Sequence, residues 1–290
     1  MVLSEEIPIA FDCQGEQLVG IVHRPEAPRR QGVLAIVAGG PQYRGGCCRQ
    51  LLVMARTFAT DGTPVMRFDY RGMGDSEGVF KGFESTHADL LAAIEIFKHQ
   101  VPELEEVILW GGCDAASASL INAWRLPEVS GLILGNPWVH SEQTEARVAI
   151  KHHYSKRIYE WSFWRKVLTL QYNPLPVAGG MLKSLLRKRA PAPASAGATD
   201  FDARPFQEKM REGLSHFKGR ILLLMSGRSL LSKEFDELVA SDTRWQTALK
   251  APADVARHDV AEADQAFSTI AARDEIIATA RQWLAQWPTH

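Results

Sequence analysis

The feature that most constrains this chain is a succession of short apolar runs, most of them ending at a turn and separated by segments of helical periodicity. Residues 32–38 read Gly-Val-Leu-Ala-Ile-Val-Ala and stop at Gly39-Gly40-Pro41. Residues 63–69 follow, then Val107-Ile108-Leu109-Trp110, then Gly131-Leu132-Ile133-Leu134, and much later 219–227 and 254–260. Unbroken apolar runs of this length suit strands covered on both faces. A weaker alternation over 17–23 suggests an earlier strand. Between the runs, 51–60 and 88–98 carry apolar residues at helical spacing, a helix follows position 113 as far as Trp124, and a last one spans about 274–287. Strands alternating with helices build a mostly parallel sheet with helices on both faces. Ligands of such sheets bind beyond the carboxyl ends of the strands. The loops after Val37, Asp69, Trp110 and Leu134 are therefore expected to face one site.

The texture changes near residue 141. Residues 141–189 are rich in aromatic and basic side chains and contain no strand-like run, and Pro191-Ala192-Pro193-Ala194-Ser195-Ala196-Gly197-Ala198 is of low complexity. The reading is an α/β core formed by 1–140 and 216–290, interrupted by a helical cap at 141–215 with a flexible Pro/Ala-rich segment at 190–200. The 290 residues suffice for a large core with such an insertion. A formal net charge of -1 leaves no basic excess for phosphates, so nucleic acid is not an expected partner. The short basic run Arg187-Lys188-Arg189 reads as a solvated face or tether. No apolar stretch is long enough to cross a membrane, and residues 1–10 do not resemble a signal peptide. A cytoplasmic location with reduced thiols follows as the expectation. The four cysteines, Cys13, Cys47, Cys48 and Cys113, have no zinc-site spacing, and neither a metal nor a cofactor is expected.

Cys113 sits in Gly111-Gly112-Cys113-Asp114-Ala115, between a strand and a helix. A sharp strand-to-helix turn that displays a nucleophile needs small residues two positions to either side, and Gly111 and Ala115 supply them. A helix N-terminus favours a thiolate, and the Asp114 backbone N–H is placed to serve as an oxyanion donor. The Asp114 carboxylate opposes this, since a nearby negative charge raises a thiol pKa. The plain alternative is a buried structural cysteine. A second motif, Asp69-Tyr70-Arg71-Gly72-Met73-Gly74-Asp75-Ser76-Glu77-Gly78, follows a strand directly. Its glycines permit a tight loop, which Arg71 is expected to fix by pairing with Asp69 or Asp75.

This second motif resembles the loop after the fourth strand of α/β-hydrolases, and the elbow about forty residues later strengthens the resemblance. The segments Gly39-Gly40-Pro41-Gln42-Tyr43-Arg44-Gly45-Gly46, Trp110 to Ala118 and Asn136-Pro137-Trp138-Val139 resemble, more narrowly, the exosortase A system-associated hydrolase 1 family. The resemblance covers essentially the whole chain. It implies an α/β-hydrolase fold and hydrolase activity, with no stated substrate. The loop after Val37 would then supply a second oxyanion donor. Pro41 has no N–H, which leaves Gly40 and Gln42.

The resemblance also exposes two departures. The family pattern has an acid where this chain has Ser229 in Gly227-Arg228-Ser229-Leu230-Leu231, and a histidine where it has Gln265 in Ala263-Asp264-Gln265-Ala266-Phe267-Ser268. Serine holds no negative charge, and glutamine accepts no proton at useful pH. A nucleophile of this kind needs a base and the base an orienter. Of the remaining histidines, His140 follows a strand end and is the candidate substitute base. His258 lies inside a strand, His152 and His153 belong to the cap, and His23 and His87 read as surface residues. Glu77, Glu234 and Asp236 read as solvated charges.

Two functions stay open. One is hydrolysis or transfer of an acyl group of an ester or thioester, with Cys113 as nucleophile. The other is a degenerate hydrolase that binds a small ligand or protein partner without turnover.

Overall fold

A computed structural model of the chain describes residues 4–39, 42–140 and 201–287. Contacts divide the chain into two units, one of residues 1–140 and 205–290 and the other of 141–204. The expected helical cap and Pro/Ala-rich flexible segment fall almost wholly on 141–200, outside the described residues.

Eight strands form one sheet in the larger unit, in the order β1-β2-β4-β3-β5-β6-β7-β8. They are β1 (Ser4–Cys13), β2 (Glu16–Pro25), β3 (Gln31–Ile36), β4 (Val65–Asp69), β5 (Glu106–Gly112), β6 (Val129–Gly135), β7 (Arg220–Ser226) and β8 (Asp254–Val260). β1 and β2 pair antiparallel, as do β2 and β4, and every pairing from β4 to β8 is parallel. Parallel strands need crossovers. The helices described between them are α1 (Gln50–Ala59), α2 (His87–Gln100), α3 (Asp114–Asn122), α4 (Phe206–His216), α5 (Leu230–Ser241) and α6 (Thr243–Ala248), and α7 (Ile270–Leu284) follows the last strand. Val33, Leu34, Val65, Met66, Phe68, Val107, Ile108, Leu109, Leu132, Ile133 and Leu134 are all fully buried, as central strands covered on both faces require. Among the described residues no helix is long and apolar enough to cross a membrane.

The structure corrects several expectations. By contacts α4, which precedes the expected return to the core at 216, falls in the larger unit. It lies so close to α3 that a Cβ on Gly213 would stand 2.0 Å from the Leu120 carbonyl oxygen. Glycine at that position is what allows the contact. Arg71 pairs with neither Asp69 nor Asp75. It grips Asp89 at the start of α2 at 3.0 Å, while Arg44 takes both Asp69 and Asp75. Glu234 is fully buried and holds His140, so it is no solvated charge.

His23 is also buried rather than a surface residue. Arg67 Nε donates to His23 Nε2 at 2.8 Å, which puts the ring proton on Nδ1, with Glu6 3.8 Å away. Burial and the Arg67 charge push the imidazole down to about 4. An unfolded chain takes up this proton near pH 6.5 and the native chain only near 4, so stability is complete above 6.5 and is lost as pH falls through that window. The loss amounts to about 3 kcal/mol from this one group. Urea unfolding of the wild type at pH 7 and 4.5, compared with His23→Gln, is expected to show this slope shrinking in the variant.

Candidate active site

The site begins where β5 turns into α3. Cys113 carries φ 55 and ψ -122, a conformation that non-glycine residues seldom adopt. The surroundings hold it there. Its N–H donates to the Gly135 carbonyl at 2.8 Å, and its carbonyl accepts from the Trp138 N–H at 3.1 Å. Ser117 Oγ ties the same helix to the Trp138 carbonyl at 2.7 Å. Gly111 permits the turn, because a Cβ there would lie 2.6 Å from the Ala115 backbone carbon and oxygen.

A cavity of about 410 Å³ opens beside the elbow. Ala38 and Gly39 after β3, Gly112 of β5 and Cys113 just after it, Gly135 of β6, Leu224 of β7 and residues 264–267 after β8 all line it. The carboxyl ends of the parallel strands thus converge on one pocket, as this topology favours. Its apolar wall includes Ile36, Leu51, Trp110, Phe267 and Ile276. Its polar residues include Gln42, Gln50, Asp264 and Gln265.

Gln265 Nε2 donates to Cys113 Sγ at 3.4 Å. An amide therefore faces the sulfur. The loop that carries it is anchored by Asn136, which adopts φ 45 just beyond β6. Asn136 Nδ2 donates to the Gln265 carbonyl at 2.8 Å and to Ser226 Oγ at 2.6 Å, and its Oδ1 accepts from the Ser226 N–H and Ser232 Oγ. One buried asparagine thus locks the ends of β6, β7 and β8 together. Asparagine suits the position, because it tolerates left-handed backbone and has both donor and acceptor to offer.

The Cys113 thiol is pushed up to about 11, first by burial and then by the Asp114 charge. The Asp114 backbone N–H and the Gln265 amide act in the opposite sense and do not offset these effects. Asp114 turns its carboxylate onto the loop after β3. The Gly39 N–H donates to Oδ1 at 2.7 Å and to Oδ2 at 2.9 Å. A Cβ on Gly39 would stand 2.1 Å from Oδ2, so glycine is required for this approach. Burial raises the Asp114 pKa, against the opposing backbone N–H groups of Gly39 and Ala115. The Gly39 N–H, at the start of the loop after β3, is thereby occupied by the protein's own carboxylate.

The structure brings Cys113, Gln42 and Gln265 to one cavity and sets Asp114 beside it. Gly40, the other proposed second donor, lies outside the described residues. Gly39, which lines the cavity and bonds Asp114, was not among the residues expected there. The signal that would have found it is the pairing of a short carboxylate after the elbow with a side-chain-free residue opposite. Ser229 is buried and caps α5, its hydroxyl accepting from the Ser232 N–H. It does not line the cavity. His140 does not line it either. Its Nδ1 lies 3.1 Å from both Glu234 carboxylate oxygens, and its ring packs on Trp138 with centroids 5.4 Å apart. His258 contacts Glu275 at 2.8 Å.

The architecture is shared with solved hydrolases. An esterase from Pyrococcus furiosus matches 99% of this chain over 92% of its own, with a TM-score of 0.62 and 15% identity. A carboxyl esterase from Bacillus coagulans matches 98% over 99% of its own, with a TM-score of 0.61 and 14% identity. A dienelactone hydrolase from Anabaena variabilis matches 98% over 98%, with a TM-score of 0.58 and 13% identity. The chain has the α/β-hydrolase fold. No protein-family model matches the sequence, and no curated protein does.

Proposed function

We propose that this protein is a degenerate α/β-hydrolase that binds a small, uncharged, largely apolar ligand beside Cys113 without turning it over. The observation that carries the reading is the Gln265 amide in contact with Cys113 Sγ, where a triad would place its histidine. An amide orients a ligand by hydrogen bonding but takes no proton from a thiol. Two further features support it. The thiol stays protonated at neutral pH, and the Asp114 carboxylate holds the Gly39 N–H that an oxyanion would use. The cavity wall favours an apolar body, and the acidic Asp264 among its lining residues disfavours an anion. The segments around Gly39, Trp110 and Asn136 support a place in the exosortase A system-associated hydrolase 1 family.

Methyl benzoate is a suitable probe. Saturation-transfer NMR is expected to show it bound by the wild type and not by Ala38→Trp, which fills the cavity. The ester is expected to persist for hours at the buffer rate. Cys113-dependent cleavage, or no binding to the wild type, would contradict the reading.

A second reading is slow, cysteine-dependent acyl transfer. The strained Cys113 turn at the N-terminus of α3 favours it, because that geometry presents the sulfur to a bound carbonyl. His140, oriented by buried Glu234, is the base this reading would recruit after a rearrangement of the loop beyond β6.

A further inference from the structure

The cavity carries a feature that neither reading uses. Cys47 and Cys48 are consecutive, both are free thiols, and their sulfurs lie 3.7 Å apart. Two backbone features set this arrangement. Gly46 enters the turn at φ 72, and Cys48 adopts φ 51, ψ 30, so adjacent side chains that would diverge on a regular helix are turned to the same side. Cys47 lines the same cavity as Cys113 and Gln265, and Cys48 is exposed.

We infer that Cys47 and Cys48 form a chelating dithiol site for a trivalent thiophilic centre bearing one organic group, such as an organoarsenical, with that group directed into the cavity. The bite supports this. Bonds of about 2.3 Å, the length of a metal–thiolate bond, would span the 3.7 Å gap with a sulfur–centre–sulfur angle of about 107°. The two sulfurs therefore need little movement to bridge one atom. A disulfide is a poorer outcome. Consecutive Cα atoms are about 3.8 Å apart across a trans peptide, short of the 4.4–6.8 Å that disulfides usually span. Zinc fits less well too, because it takes about four ligands. Among the described residues no group of three or more His, Cys, Asp or Glu side chains is assembled to hold a metal. A trivalent centre that brings its own organic substituent needs only two sulfurs.

The step balances without an oxidant. Phenylarsine oxide carries trivalent arsenic bound to one oxygen and one phenyl group. Two As–S bonds form, the As–O bonds break, both thiol protons leave with that oxygen as one water, and arsenic remains trivalent.

The test uses the full chain and phenylarsine oxide at one equivalent, read by intact mass. The wild type and Cys113→Ser are expected to gain one phenylarsenic group that survives excess monothiol and is removed by dimercaptopropanol. Cys47→Ser and Cys48→Ser are each expected to hold it about a hundredfold less tightly, because the second sulfur no longer adds its intramolecular contribution. Cys113 alkylation in the loaded wild type is expected to slow, since the phenyl group shares its cavity. An adduct that monothiol strips from the wild type, that persists in either serine variant, or that requires Cys113 would overturn the assignment. Unchanged Cys113 alkylation would overturn its placement toward the cavity.

Discussion

Iodoacetamide is expected to alkylate Cys113 about a hundredfold more slowly at pH 7 than it alkylates a free cysteine, with the rate rising until pH approaches 11. The sign follows from the groups around the sulfur. The thiolate is the reactive form, and burial removes the water that would stabilise it. The Asp114 carboxylate adds repulsion, and the two N–H donors recover only part of this. The protonated form therefore persists far above its usual range. Asp114→Asn is expected to move the alkylation profile toward lower pH, yet leave it above that of an ordinary thiol, because burial is the larger cause. Peptide-level mass spectrometry at a series of pH values checks both. A profile centred at or below 8.5 in the wild type would mean that a base or cation reaches the sulfur.

Gly111→Val is expected to destabilise the fold by about 3 kcal/mol or more. The Cβ it introduces meets Ala115 at 2.6 Å, and what it meets is backbone rather than the end of a flexible side chain. Relief would require α3 to move away from β5, and α3 is held by the Cys113–Trp138 and Ser117–Trp138 bonds. Gly112→Ala serves as the control, since a Cβ there meets nothing nearer than the Gly135 carbonyl at 3.9 Å. Urea unfolding of the two variants is expected to separate them clearly. Equal stabilities would show that the tight turn at Gly111 is not what holds the elbow.

Much of this architecture was legible in the chain. The buried central strands announced themselves because residues such as Val33-Leu34-Ala35-Ile36 and Ile108-Leu109-Trp110 are apolar on both faces. The edges were harder. β1 carries Glu5 and Glu6 on an exposed border strand, so no continuous apolar run marks it. α5 follows β7 at once and buries Ser232 and Glu234, polar residues that do not read as a core face. The elbow was legible because its constraint is local, resting on Gly111 and Ala115 two residues either side of one position. The pairings were not. Arg44 with Asp69, Arg71 with Asp89 and His140 with Glu234 join residues far apart in sequence, and only the sheet order decides which charges meet. The Gly39–Asp114 contact is of the same kind. It depends on β3 lying beside β5, which brings the loop after one strand to the helix after the other.

That contact and the Gln265 amide together define the central claim, that the elbow persists as a ligand site and not as an acylating centre. The most direct test is a stopped-flow mixing of the full chain with excess p-nitrophenyl acetate at pH 7.5, followed by intact mass. The claim predicts no burst of nitrophenol above the Cys113→Ser control and no acetyl group on Cys113. A burst approaching one equivalent, absent in Cys113→Ser and accompanied by an acetylated Cys113, would contradict it.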